Sequence, residues 1–311
     1  MTKRYEEVQL VKRNRKPLKG IFPLMPLVLA PNQELDLTGL QENVHAYEAQ
    51  GFDGFIAFGC MGEFYAPNEQ EFYAIVDTAV NSATKLTTVF GTTAQTTKEC
   101  IKRTRYVEDA GGDGVMIGPP SIIPCTADEV FEHYRLVNEA VNEVQIMVYN
   151  NPFTFRFNMT VEFWDRLLTL DRICAVKESN GAVKHRNRVI HHIAKHVNVF
   201  SGGEVWLLAD SLLGGRGIVS TCGPGAPRAS VAFFQACMRR DLDRALPLHH
   251  KSVEVYSDVT AENEVAWLKA AAELGGFKAG PPRLPYVPLN PLTRTRLQQR
   301  LSELLTLVDT L

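Results

Sequence analysis

Lys177 ends the apolar run Ile173-Cys174-Ala175-Val176-Lys177, a poor place for a charged side chain. An ammonium in such surroundings is costly, so burial lowers its pKa and leaves a neutral, nucleophilic amine. An amine of that kind forms Schiff bases with carbonyl substrates. The competing reading is a strand-end lysine that reaches solvent beside Glu178, and the strand alone leaves the two in balance. Tyr149 closes the run Ile146-Met147-Val148-Tyr149 and precedes Asn150-Asn151-Pro152. A phenol near a lysine can shuttle protons between carbinolamine, imine and enamine. A lone tyrosine is more often a core aromatic with a satisfied hydroxyl. The third candidate is Gly59-Cys60-Met61-Gly62-Glu63, a glycine-bracketed turn whose backbone N–H groups suit a carboxylate.

Other chemistries find less support. No H-E-x-x-H and no G-x-x-x-x-G-K-[ST] occurs, and the eight histidines fall mostly in helical stretches. A metal-dependent aldolase would have only Glu63, Glu178 and Glu204 at strand ends, so no metal is expected. The six cysteines lie far apart without a Cys-x-x-Cys pair, which suits reduced thiols in a cytoplasmic protein. With 33 Lys+Arg against 35 Asp+Glu the charge is −2, and no basic face for nucleic acid is expected. No apolar run reaches the roughly 18 residues of a membrane span, and Met1–Lys19 is basic without a signal-like apolar stretch.

The elements that must hold these groups repeat a pattern. Gly51-Phe52-Asp53-Gly54 leads into Phe55-Ile56-Ala57-Phe58, and Gly111-Gly112-Asp113-Gly114 into Val115-Met116-Ile117. Gly214-Gly215-Arg216-Gly217 before Ile218-Val219-Ser220 is a third echo. Glycine after a helix supplies a left-handed cap, and a short apolar run between glycines reads as a buried parallel strand. Five further runs, Gly20–Leu24, Thr87–Phe90, Gln145–Tyr149, Ile173–Lys177 and Asn198–Phe200, raise the strand count to eight. Capping-box spacings at Asn68/Glu71, Thr96/Glu99 and Thr126/Glu129 open intervening helices. With 311 residues, 45% hydrophobic, the chain predicts an N-terminal arm (1–19), a (β/α)8 TIM barrel (20–227) and a C-terminal helical extension (228–311) packed on it. Helices are expected near Val231–Arg240, Arg244–Ser257 and Thr293–Leu311. An open doubly wound sheet is the alternative, but no G-x-G-x-x-G follows the first strand.

In order and spacing these motifs resemble the dihydrodipicolinate synthase / N-acetylneuraminate lyase family of Schiff-base aldolases, over nearly the whole chain. Gly59–Glu63 is similar to the family's G-[TS]-T-G-E loop, Tyr149-Asn150-Asn151-Pro152 to its Y-N-x-P, and Val176-Lys177-Glu178 to its strand-end lysine. Gly91-Thr92, Gly202-Gly203-Glu204 and Gly217-Ile218-Val219-Ser220 through Pro227 match as well. The resemblance implies a barrel enzyme, usually a homotetramer, with no cofactor beyond the covalent imine. Lys177 would attack the ketone of pyruvate or a related 2-oxo acid, Tyr149 would move protons, Cys60–Gly62 would hold the carboxylate, and Val219 would line the pyruvate pocket.

The departures bear on the substrate. Cys60-Met61 stand where many members carry two hydroxyl residues, which leaves backbone N–H groups as the carboxylate donors. Pro119-Pro120-Ser121 replaces the Pro-Tyr-Tyr of dihydrodipicolinate synthases, and Phe153-Thr154 stands where those enzymes place a carboxylate-binding arginine. Asn151–Asn158 with Phe163-Trp164, and Gly280–Tyr286, are similar to hydratase-aldolases that cleave benzylidenepyruvates. That resemblance implies an aromatic acceptor against Phe153 or Phe155, water held near Asn151, and cleavage to an aldehyde and pyruvate. An aldolase or dehydratase for 2-keto-3-deoxy sugar acids or 4-hydroxy-2-oxo acids, a dihydrodipicolinate synthase and a catalytically silent ligand-binding barrel are the alternatives. The phenylalanines could equally be core residues.

Overall fold

The computed structural model describes residues 15–311, so positions 1–14 of the expected N-terminal arm lie outside the described residues. Eight short strands form: β1 (Gly20–Pro23), β2 (Gly54–Ala57), β3 (Thr87–Gly91), β4 (Gly114–Ile117), β5 (Gln145–Asn150), β6 (Ile173–Glu178), β7 (Asn198–Ser201) and β8 (Gly217–Ser220). Nearly all of their residues are buried, as expected of strands covered on both faces. All neighbours pair in parallel, in the order β1-β8-β7-β6-β5-β4-β3-β2. The remaining seam is bridged by Leu24 and Ile56, where the Met25 N–H donates to the Ile56 carbonyl at 2.8 Å. This is a (β/α)8 TIM barrel.

The intervening helices are α1 (Leu37–Ala49), α2 (Glu69–Ser82), α3 (Thr97–Asp109), α4 (Ala127–Glu139), the single-turn α5 (Pro152–Phe155), α6 (Val161–Leu167), α7 (Val183–Ile193) and α8 (Glu204–Leu212). Asn68/Glu71 and Thr126/Glu129 close full capping boxes. At Thr96 only half a box forms, because Glu99 turns to Arg103 at 3.0 Å. The recurring glycines Gly51, Gly111 and Gly214 have φ of 81°, 94° and 105°, the left-handed turn their pattern implied.

Beyond β8 come α9 (Pro227–Arg239), α10 (Leu242–Tyr256), α11 (Glu264–Leu274) and α12 (Pro291–Thr310). The first packs on α8 and β1 and takes the eighth helix position of the barrel, so the added layer is α10 to α12. Among the described residues no helix is long and apolar enough to cross a membrane.

Side chains fill the barrel. The rings of Phe22 and Phe200 meet at 5.1 Å, and glycines on the adjacent strands make room for them. A Cβ on Gly217 would lie 2.6 Å from the Phe200 ring, and one on Gly54 2.7 Å from that of Phe22. Leu18 plugs the bottom against Gly114. The interior is therefore closed below, and chemistry is confined to the rim where all eight strands end.

Candidate functional site

Strand register brings the two principal candidates together. Tyr149 on β5 and Lys177 on β6 are direct partners, so both side chains leave the sheet at the same level. Lys177 Nζ lies 4.2 Å from the centroid of the Tyr149 ring. Lys177 is 3% exposed, and among the described residues it has no hydrogen bond and no ion pair. Burial drives its pKa down to about 8, against weaker opposing fields from Cys60 and Glu264. Lys177 is thus a buried side chain and does not reach solvent beside Glu178.

Tyr149 is equally enclosed. Burial holds its phenol well above the ordinary value, with a further push from Cys60, so it is a protonated donor at neutral pH. The amide Nδ2 of Asn151 donates to its hydroxyl at 3.3 Å. Asn151 also caps α5, accepting from the Thr154 N–H at 3.3 Å, and Pro152 fits the first helical position. Phe155 is packed beneath this arrangement, 2% exposed, with its ring edge-on to Tyr149 at 5.1 Å. A Cβ on Gly118 would stand 2.3 Å from the Phe155 ring, so that glycine lets the ring wedge under Tyr149.

The Gly59–Glu63 loop is a tight turn entered and left by left-handed residues, Phe58 at φ 60° and Glu63 at φ 58°. The Glu63 and Phe64 N–H groups turn back to the Cys60 and Gly59 carbonyls at 3.1 and 3.2 Å. Among the described residues nothing accepts from the N–H groups of Cys60, Met61 or Gly62. Free successive N–H groups form an anion-binding concavity. Met61 is itself buried, 5% exposed, while the Cys60 thiol lies within hydrogen-bonding reach of Tyr149 and Thr154. Burial raises the Cys60 pKa, so the group is a thiol and not a thiolate. Val219 is buried on β8, opposite Phe22 in register.

Ser121 is held by Gln95 of the preceding rim loop, through its N–H at 3.0 Å and its Oγ at 3.3 Å. Phe153 is 83% exposed at the rim.

Two further groups reach the site without a sequence signal of their own. Thr154 brings a hydroxyl to Cys60 within the very segment where an arginine is missing. Glu264, the first residue of α11, is half-buried and acts electrostatically on Lys177, Cys60 and Tyr149. The Ala-rich run that follows is buried on every side and shows no amphipathic period, so nothing marked it as a helix.

A buried polar network fixes the strand ends. Asn150 donates to Glu178 at 2.7 Å, and Arg186 joins Glu178 at 3.7 Å to Asp210, which also accepts from Ser201 at 2.7 Å. Glu204 accepts from the side chains of Ser220 and Thr221 and fixes the turn after β8. Glu63 is held by Lys269 at 3.1 Å and by the Arg283 N–H at 2.7 Å. The three carboxylates that a metal would require are thus engaged separately, and no three His, Cys, Asp or Glu among the described residues converge on a metal position.

Comparison with known proteins gives the same outline. A family model described as the dihydrodipicolinate synthetase family matches residues 17–304. A 4-hydroxy-tetrahydrodipicolinate synthase from Methanothrix thermoacetophila is 29% identical over 287 residues, covering 92% of this chain and 97% of its own. A crystal structure of a dihydrodipicolinate synthase superposes with a TM-score of 0.84 at 25% identity, over 92% of this chain and 99% of the other. A catalytic-lysine mutant of a sialic acid aldolase from Ruminococcus gnavus shares the fold, with a TM-score of 0.87 at 16% identity over 96% and 99% of the two chains.

Proposed function

The chain belongs to the dihydrodipicolinate synthetase family, whose members are lyases that act through a lysine Schiff base, and from that premise we propose that Lys177 forms an imine with pyruvate-type 2-oxo acids. The observation that carries this reading is the buried, unpaired amine of Lys177 stacked over Tyr149. Its nitrogen adds to the substrate ketone, and the carbinolamine loses water with a proton supplied by the Tyr149 hydroxyl. The free N–H groups of Cys60, Met61 and Gly62 receive the carboxylate, with Val219 on the wall. In a 4-hydroxy-2-oxo acid the 4-hydroxyl then gives its proton to a base in the site, the C3–C4 bond breaks with its electron pair entering the iminium, and an aldehyde departs. Protonation of the enamine at C3 and hydrolysis of the imine release pyruvate and restore the amine.

For the acceptor we favour an aromatic aldehyde, with the enzyme working as a hydratase-aldolase on benzylidenepyruvate-type acids. The support is an exposed ring at the rim, Phe153, beside Asn151 and Thr154 in place of a cationic carboxylate clamp. Water would add across the conjugated double bond before cleavage, near Asn151. Phe155 supports Tyr149 from below, so contact with the substrate ring rests on Phe153. A second reading, condensation of pyruvate with aspartate semialdehyde, is favoured by the name of the Methanothrix thermoacetophila relative.

Borohydride reduction in the presence of pyruvate should inactivate the enzyme with a single adduct at Lys177. A Lys177→Ala variant should lose at least about 10³-fold in turnover. No adduct under saturating pyruvate would reject the mechanism. A retro-aldol screen over benzylidenepyruvates, 2-keto-3-deoxy sugar acids, 4-hydroxy-2-oxoglutarate and N-acetylneuraminate, beside a pyruvate/aspartate-semialdehyde assay, then separates the substrates. Turnover should survive EDTA, since the imine serves as electron sink.

A further inference from the structure

Glu264 is a carboxylate without an assigned task. Helix α11 is fastened across the rim by Lys269, whose Nζ pairs with Glu63 at 3.1 Å and donates to the carbonyls of Leu27 at 2.5 Å and Pro281 at 2.8 Å. Leu27 follows β1 and Glu63 lies three residues beyond Cys60, so the anchor fixes the helix beside the carboxylate loop. Glu264 precedes Lys269 by five residues, an axial rise of about 7.5 Å toward the helix N-terminus. It is half-buried, and among the described residues it has no hydrogen bond and no ion pair. The helix start does not use it as a cap. Asn263 stands at the N-cap position, but its side chain turns back to the preceding loop, accepting from the Thr260 N–H at 2.8 Å and donating to the Asp258 carbonyl at 2.9 Å. Neighbouring Glu262 shows the ordinary alternative, an exposed acid at a helix start.

The groups that feel this carboxylate come from four elements: Lys177 of β6, Tyr149 of β5, Cys60 and Tyr65 of the loop after β2, and Tyr256 of α10. Lys177 is the only cation among them, and it ceases to be a free ammonium once it is in the imine. Tyr149, on the sheet beside the amine, is placed for the C2 end of the substrate. Glu264, on the helix fastened beside the Cys60–Gly62 turn, is a half-buried, unpaired carboxylate whose field reaches that amine.

We infer that Glu264 is a further catalytic residue, the proton acceptor for the 4-hydroxyl of a 4-hydroxy-2-oxo acid bound as the Lys177 imine. The inference rests on the Schiff-base aldolase reading. In cleavage the O4 proton passes to the carboxylate, the O4–C4 bond becomes the aldehyde carbonyl, and the C3–C4 electron pair flows into the iminium. In condensation the protonated acid returns that proton to the forming alkoxide. Burial raises the pKa of Glu264 above the ordinary carboxylate value, which brings it nearer to working pH as a base that must also act as an acid. The same charge disfavours an acceptor that would place a second carboxylate there.

The test compares wild type with Glu264→Gln and Glu264→Asp in two assays. The first is borohydride trapping with pyruvate, which contains no 4-hydroxyl. The second is cleavage of 4-hydroxy-2-oxo-4-phenylbutanoate and of the 4-hydroxy-2-oxo acid cleaved fastest in the screen. Glu264→Gln should trap pyruvate within about twofold of wild type yet lose about 10²-fold or more in kcat for cleavage. Its kcat–pH profile should keep the acid limb of Lys177 but lose the further fall that protonation of Glu264 adds in wild type, and Glu264→Asp should restore part of the rate. Unchanged cleavage by Glu264→Gln, or an equal fall in trapping and cleavage, would overturn the assignment. Failure of wild type to trap pyruvate would instead overturn the Schiff-base reading beneath it.

Discussion

Keeping Lys177 out of water without a counter-charge costs folding energy, and the cost can be read in titration. The folded state holds the amine at about 8 against its ordinary 10.5. Between those values the unfolded chain binds a proton that the folded chain lacks, so stability rises with pH across that window. Below about 8 the penalty is at its full size, on the order of 3 kcal/mol. Lys177→Met, similar in length and uncharged, should therefore be more stable than wild type at pH 7 by up to that amount while losing imine formation. Guanidinium unfolding at pH 7 and pH 10 checks this, and the gain should shrink at the higher pH. The same titration governs chemistry: the rate of pyruvate trapping should fall about tenfold per pH unit below about 8, because only the neutral amine adds to the ketone.

The strand ends that carry Lys177 and Tyr149 are fixed by ionised groups in place of a hydrophobic floor. Glu178, next to Lys177, has its pKa raised to about 7, chiefly by burial, with Asn150 and Arg186 opposing. Its contribution to stability is fully present below the unfolded carboxylate value and is lost as pH rises through about 7. Removing Arg186 would leave Glu178 and Asp210 buried without their cation. Arg186→Met should cost about 3–5 kcal/mol near pH 8 and less at pH 5, where Glu178 carries a proton in the folded state. Urea unfolding at both pH values measures it. Elements with a local cause were legible beforehand: the glycine-bounded strands, the left-handed caps at Gly51, Gly111 and Gly214, and the boxes at Asn68 and Thr126. The half-box at Thr96 was not, because Arg103 competes for Glu99 from one turn further along. Lys177, Tyr149 and the Gly59–Glu63 loop each stand at a strand end, so period and position disclosed them. Glu264 and Thr154 matter through partners far away in the chain. Phe155 looked like a substrate contact, since sequence does not say which side of Tyr149 a ring will take.

At the scale of the whole molecule, the C-terminal layer completes the barrel mouth. Lys269 is 2% exposed and Glu63 fully buried, and their contact joins α11 to the loop that presents the free N–H groups. Burial lowers the Lys269 pKa while Glu63 raises it, so the ammonium depends on that carboxylate. Arg283 extends the clasp, its N–H donating to Glu63 and its guanidinium pairing with Glu71 at 2.6 Å. A buried pair is a poor source of net stability, since well-packed apolar residues do as well, but an orphaned member is expensive. Glu63→Gln and Lys269→Met should therefore each destabilise by about 3–5 kcal/mol, whereas the double variant should lose clearly less than the sum. The functional effect should separate from the stability effect. A slackened Cys60–Gly62 turn presents its N–H groups less well, so the concentration of pyruvate needed for half-maximal borohydride inactivation should rise in all three variants. The limiting rate, set by Lys177 and Tyr149 on strands that the clasp does not touch, should change little. If the limiting rate falls and the half-saturating concentration stays put, the clasp serves the chemical step itself and the carboxylate is bound elsewhere.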